Sequence, residues 1–278
     1  MSTPTIDIIR HATAEHNVTN LEIQDPRITK NEGLTECNQL KQSYPWAEKV
    51  FAVWSSPMRR AIDTARHSIM PLLRPEQQIV LWPELQEVND RLDGTGSPCP
   101  VLRSIYGDAI DLAQCEYNWF LKDSDSLYAP APDKVDTRAQ IMRRELRKVA
   151  RQAVEQGKPD AHIVVFTHGE FAHWLTDDFE GVTEHRNSGW YTTETRSYKF
   201  EDLFAASGPI RLLEQETPER AYMRQAEARR DYPGMGPEKR KRLQKEAAIG
   251  RAAPQGLSPD ELAYLYGVGQ GMSMHQRI

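Results

Sequence analysis

Cysteine is scarce in this sequence, an excess of positive charge is missing, and no long apolar run interrupts it. The three cysteines among 278 residues, Cys37, Cys99 and Cys115, are odd in number and lack metal-ligand spacing. That argues against a disulfide scaffold or a zinc module and fits reduced, structural thiols in an intracellular chain. Lys and Arg (35) are outnumbered by Asp and Glu (40), for a net charge of −5. General affinity for nucleic acid or an anionic membrane surface is thereby disfavoured, and any bound anion must meet a local cluster of cations. Nothing approaches the ~20 apolar residues of a membrane span. The first ten residues hold a strand and Arg10 where a secretory signal needs a basic start and an apolar core, so the expected location is cytoplasmic. Internal repeats and low-complexity tracts are absent as well.

What is present is an ordinary globular composition, 39% hydrophobic, with strands and helices alternating from the start. Ile6-Asp7-Ile8-Ile9 reads as a first strand ending abruptly in Arg10-His11. Leu34, Cys37 and Leu40 recur at helical spacing until Tyr44-Pro45. Phe51–Trp54 is a second strand; Pro57, with a serine cap before it, opens a helix whose apolar stripe is Met58, Ile62, Ala65 and Ile69. Gln78–Leu81 makes a third strand. Asp136-Thr137 is expected to cap a helix that buries Ile141, Leu146, Val149 and Ala153 and closes at Gly157, and the strand His162–Phe166 follows. Trp190 to Phe200 reads as another strand near an edge. This alternation predicts an α/β fold, a three-layer α/β/α sandwich around a mainly parallel sheet.

Two regions depart from it. Residues 83 to about 135 are rich in Pro, Gly and Asp, with one helix expected between Val101 and Phe120. They read as a lid-like insertion, about 88–135, that shapes a site. From about Glu214 charged helical sequence takes over, predicting a catalytic domain at 1–213 and a helical C-terminal extension at 214–278. Lys239–Arg242 reads as a solvated helix face. Ser258–Glu261 is a helix start whose Leu262, Leu265 and Tyr266 are expected to dock on the body or on a second copy in a homo-oligomer.

Four places share one design: Arg10-His11 after the first strand, Arg59-Arg60 after the second, Glu87 after the third and His168 after a later one. In a doubly wound sheet such ends converge on one crevice. Two arginines and two histidines there make an electropositive pocket, and the guanidinium fork suits phosphate oxygens. A neutral imidazole can attack phosphorus while the cations stabilise the transferring group, and Glu87 can protonate the departing alkoxide. Gly169 after His168 permits close backbone approach to an anion. Arg59 and Arg60 compete for the phosphate-binding role, with the motif register favouring Arg60; Glu84, Asp90 and Asp93 compete with Glu87. His16, His173 and His185 read as structural or pocket-lining, and Trp174, Trp190 and Tyr191 as core or rim. Metal-ligand spacing is lacking, so neither metal nor cofactor is expected.

Arg10-His11-Ala12 followed by Asn17, Asp25-Pro26-Arg27-Ile28-Thr29 with Gly33, Ser56–Ala61 with Thr64-Ala65, Leu85-Gln86-Glu87, and Thr167-His168-Gly169 stand in this order over roughly residues 5 to 200. In this set the chain resembles the histidine phosphatase superfamily, in its phosphoglycerate mutase-like branch. Leu85 to Gly96 is similar to phosphatase-like members of fungal type. The resemblance implies that His11 is the phosphorylated nucleophile, that Arg10, Arg60 and His168 bind the phosphoryl group, that Glu87 donates the proton, and that Asn17 sits at the pocket's edge. Ala12 departs from the family's usual glycine by one methyl group. Thr13–His16 lacks the more elaborate set of the mutases, which favours hydrolysis of a small phosphate ester. The alternatives are a phosphoglycerate-type mutase, a non-hydrolytic enzyme with His11 as a base, or a binding protein that keeps the anion pocket.

Overall fold

Every residue of the strand His162–Thr167 is buried, as a strand with neighbours on both edges and helices on both faces must be. The computed structural model describes residues 2–19, 22–186 and 188–252; the expected helix at Ser258–Glu261 lies outside them. Seven strands form one sheet: β1 (Thr5–Arg10), β2 (Val50–Ser55), β3 (Ile79–Leu81), β4 (Ile110–Asp111), β5 (His162–Thr167), β6 (Thr195–Phe200) and β7 (Leu212–Glu214). Their spatial order is β4-β3-β2-β5-β1-β6-β7. The first five are parallel to one another, β6 runs antiparallel to β1, and β7 runs antiparallel to β6.

Alternation along the central strands divides the core. Ile6, Ile8, Trp54, Ile163 and Val165 face one layer with α5 (Pro132–Glu155) and α6 (Gly169–Thr176). Ile9, Val53, Val164 and Phe166 face the other, with α2 (Glu32–Ser43) and α3 (Arg59–His67). The short α1 (Glu15–Val18) follows β1, and α4 (Cys99–Tyr106) lies in the insertion. The three-layer α/β/α architecture follows directly from the period-two pattern of buried strands.

Several boundaries differ from the sequence reading. Helix α3 begins at Arg59, not in the turn at Pro57, and the carboxylate that caps it is remote: Asp25 Oδ1 accepts the Arg59 N–H at 2.9 Å. The insertion's helix ends at Tyr106 because Gly107 takes a left-handed φ of 56°. Helix α5 starts at Pro132, a residue without an N–H to lose, rather than at Asp136. Its buried stripe is Ala139, Met142, Leu146, Ala150 and Ala153, with Ile141 and Val149 half-buried beside it. Strand β6 begins at Thr195 and is covered on its outer edge by β7. Within the extension, α7 (Pro218–Asp231) and α8 (Pro237–Ala252) pack on the body, and Ala248, Ile249 and Ala252 join the core layer of α5 and α6. Among the described residues no helix is long and apolar enough to cross a membrane.

Candidate active site

Sheet register does the first work of assembly. Strands β2, β5 and β1 are neighbours, with Arg10 opposite Thr167 and Ser55 opposite Phe166. The His11 N–H donates to the Thr167 carbonyl and the Ser56 N–H to the Phe166 carbonyl, both at 2.9 Å. His11, Ser56 and His168 therefore leave three adjacent carboxyl ends side by side, where an open α/β sheet holds its ligands. The His11 and His168 ring centroids lie 5.2 Å apart, and His16 approaches His11 at 5.8 Å.

The tautomer of His11 is set locally. His11 Nδ1 lies 2.8 Å from the Ala12 carbonyl, which can only accept, so Nδ1 carries the proton and Nε2 the lone pair. Burial first, then Arg60 and Arg10, hold the imidazole well below the ordinary histidine value. His11 is thus neutral at neutral pH, with an unprotonated Nε2. The same causes, burial and then Arg60 and His11, hold His168 neutral; its Nε2 pairs with Ser56 Oγ at 2.8 Å.

The two arguable arginines separate cleanly. Arg60 is 1% exposed, donates Nη1 to the Asp93 carbonyl at 2.8 Å, and has a buried Nε–H with no partner among the described residues. Arg59 instead binds the Asp25 loop: Nε donates to the Asp25 carbonyl at 2.7 Å and pairs with its carboxylate at 3.4 Å. Arg10 anchors Nη1 on the Trp190 carbonyl at 2.5 Å and leaves its buried Nε–H unpaired as well. Burial lowers both Arg10 and Arg60 from their usual value, while Glu87 opposes that shift. Gly169 is required by contact: a Cβ there would meet Ser188 Oγ at 2.6 Å and Arg10 Nε at 3.2 Å.

Glu87 is 8% exposed, and its Oε1 accepts the N–H groups of Val88 (2.9 Å) and Phe171 (3.2 Å). Asn17 is exposed; it accepts the Ala14 N–H at 3.0 Å and touches His16 Nε2 at 3.1 Å, one residue removed from His11. His173 is structural, with Nδ1 on the Asp178 carbonyl and Nε2 accepting the Gly189 N–H; His185 is exposed. The Asp25–Thr29 motif also proves to be scaffold. Arg27 grips Asp63 of α3 through two 2.9 Å bonds, and Tyr106 donates to the same carboxylate. Sequence reasoning missed the half-buried Lys122 and the buried Arg138, which bind backbone carbonyls of the Glu87 stretch, because neither stands in a motif. A separate cavity of about 560 Å³ in the insertion is lined by Glu84, Glu116, Asp123 and Asp125 among others, the wrong sign for a phosphate ester.

The carboxyl ends of the parallel strands thus gather two histidines, two arginines with unpaired donors and a carboxylate, a set that can bind a phosphoryl group and move a proton. Residues 6–95 match the model of the histidine phosphatase superfamily (branch 1). No curated protein matches the chain. Among solved structures it is similar to a variant of phosphoserine phosphatase from Entamoeba histolytica (14% identity, 77% of this chain and 95% of that one, TM-score 0.45). It is likewise similar to a mycobacterial hydrolase (17%, 78% and 98%, 0.49) and to ecdysone phosphate phosphatase from Bombix mori (13%, 76% and 92%, 0.48).

Proposed function

We propose that the protein hydrolyses a small organic phosphate monoester through a phosphohistidine on His11. The observation that carries this reading is the fixed tautomer: with Nδ1 donating to Ala12, the unprotonated Nε2 is the nitrogen free to attack, beside Arg10, Arg60 and His168. Nε2 attacks phosphorus, the bond from phosphorus to the ester oxygen breaks, and that oxygen takes a proton from Glu87. Water then attacks the phosphohistidine, Glu87 recovers a proton from it, and inorganic phosphate leaves. The arginine donors and His168 bind the non-bridging oxygens, whose charge they stabilise throughout. Asn17 holds His16 at the mouth, and Gly169 lets the backbone approach the anion.

The test is phosphate release from an activated aryl phosphate and a panel of sugar, glycerate, nucleotide and lipid phosphates, with His11→Ala alongside. Release by the wild type, lost in the variant, is the expected result. Transfer of the phosphoryl group to a second hydroxyl without release would replace hydrolysis by mutase chemistry, and silence on all compounds would overturn the reading.

A further inference from the structure

The stretch that carries Glu87 has little regular structure beyond the 3₁₀ turn Pro83–Leu85, yet side chains from elsewhere hold its carbonyls one after another. Arg138 of α5 donates Nη1 to the carbonyls of Gln86 (2.9 Å) and Glu84 (3.4 Å), and the Thr167 hydroxyl donates to Leu85 (2.8 Å). The last two acceptors belong to Lys122, whose ammonium donates to the carbonyls of Glu87 at 2.8 Å and Asn89 at 2.5 Å. Lys122 reaches them from the insertion, 35 and 33 residues along the chain.

Three features set Lys122 apart from a surface lysine. Its ammonium spans Val88, binding the residues on both sides, so it fixes the backbone from which the Glu87 side chain departs. Its electrostatic neighbours include Glu87, Arg60, Arg138 and His168, which puts it beside the pocket itself. Burial pushes its ammonium well below the usual lysine value, opposed by Glu87; a cation so desolvated is costly to keep, and carbonyl oxygens hold it. The Glu87 carboxylate is fixed separately by the N–H groups of Val88 and Phe171. Backbone and carboxylate are thus held by different groups, and Lys122 supplies only the first hold.

Resting on the phosphatase reading, we propose that Lys122 is a positioning residue for Glu87, tying down the acid's backbone so that its carboxyl stays within reach of the leaving oxygen. The insertion thereby supplies the strap that makes the acid effective on substrates that need one.

The experiment uses the full chain carrying Lys122→Met, Lys122→Arg, Glu87→Gln and the Lys122→Met/Glu87→Gln pair, assayed on an alkyl phosphate and on an aryl phosphate with a good leaving group. Because a misplacement of about 1 Å costs on the order of 100-fold, Lys122→Met should lower kcat on the alkyl ester by roughly 10- to 100-fold with KM nearly unchanged. The aryl ester, which leaves without a proton, should lose less than about 3-fold. Lys122→Arg should recover most of the loss, and the pair should be no worse than Glu87→Gln alone. Equal losses on both esters, a loss confined to KM, or additive effects in the pair would overturn the proposal. Hydrogen exchange of the peptide covering 84–90 provides a readout independent of activity. Faster exchange in Lys122→Met than in wild type supports the strap, and unchanged exchange overturns it even if the wild type proves not to be a phosphatase.

Discussion

Arg59 and Arg60 are consecutive at the start of α3, yet one grips the Asp25 loop through Nε at 2.7 Å and the other reaches the Asp93 carbonyl through Nη1 at 2.8 Å. Adjacent helical residues point about 100° apart, so one turn can serve scaffold and site at once. Removing the buried Arg60 should cost roughly 100- to 1000-fold in kcat/KM, as loss of a donor to developing charge does. Arg59→Ala should instead lower stability by about 1–2 kcal/mol, because the buried Asp25 carboxylate loses a partner, with kcat within a few-fold of wild type. Steady-state kinetics and urea titration of the two variants separate the roles; equal kinetic losses would abolish the distinction.

Gly169 is the point where α6 meets the Arg10 side chain. A methyl group there would stand 2.6 Å from Ser188 Oγ and 2.9 Å from its Cβ, and the Ser188 segment leads to Trp190, whose carbonyl anchors Arg10. Overpacking of this kind costs about 1–3 kcal/mol. Gly169→Ala should therefore lower Tm by several degrees and raise KM for any phosphate ester through a displaced Arg10. A variant with wild-type KM and Tm would show that the segment yields freely.

Much of this site was legible because its chemistry is written in short contiguous pieces at strand ends. Arg10-His11, Arg59-Arg60 and Thr167-His168-Gly169 each follow an apolar run, and parallel β-strands bring such ends together by topology alone. The motif register favoured Arg60 over Arg59, but local spacing alone did not separate the first two residues of the helix; the partner that occupies Arg59 comes from the distant Asp25 loop. Nor was the cap of α3 readable: local serines stood in the right place, but the carboxylate that accepts the Arg59 N–H comes from a turn 34 residues earlier. Lys122 and Arg138 were invisible for the same reason. Their partners are backbone carbonyls, which every residue possesses, so no side-chain pattern marks them. Helix boundaries erred where a left-handed Gly107 or an N-terminal Pro132 outweighed the apolar spacing.

The extension is tied to the segment that supports Arg10. Tyr191 donates to Glu227 of α7 at 2.7 Å, Tyr232 to the Val182 carbonyl at 2.9 Å, and Arg251 of α8 to the Thr183 carbonyl. Ile249, 4% exposed in the shared core, is the most direct probe. Ile249→Ala should destabilise the whole protein by about 2–4 kcal/mol in one cooperative transition. A loss below about 0.5 kcal/mol, or a separate early transition, would mean that the extension folds independently of the sheet.

Acid sensitivity follows from the buried histidines. Burial is the first cause that depresses His11, His168, His16 and His173, the last two to about 4. An unfolded chain binds protons at these groups from pH 6.5 downward while the folded chain refuses them, so stability is full above about 6.5 and is lost progressively as pH falls toward about 4. The fully buried His173 contributes to this loss as pH falls from 7 to 5; the half-buried His16 adds less, because solvent screens it. Urea titrations at pH 7, 6 and 5 read the slope directly. Inorganic phosphate should flatten it, since an anion beside His11 and His168 favours their protonated forms and stabilises the folded state by mass action. Stability that is level from pH 7 to 5 would contradict the neutral histidines, and a slope that phosphate leaves untouched would argue that the anion binds away from His11 and His168.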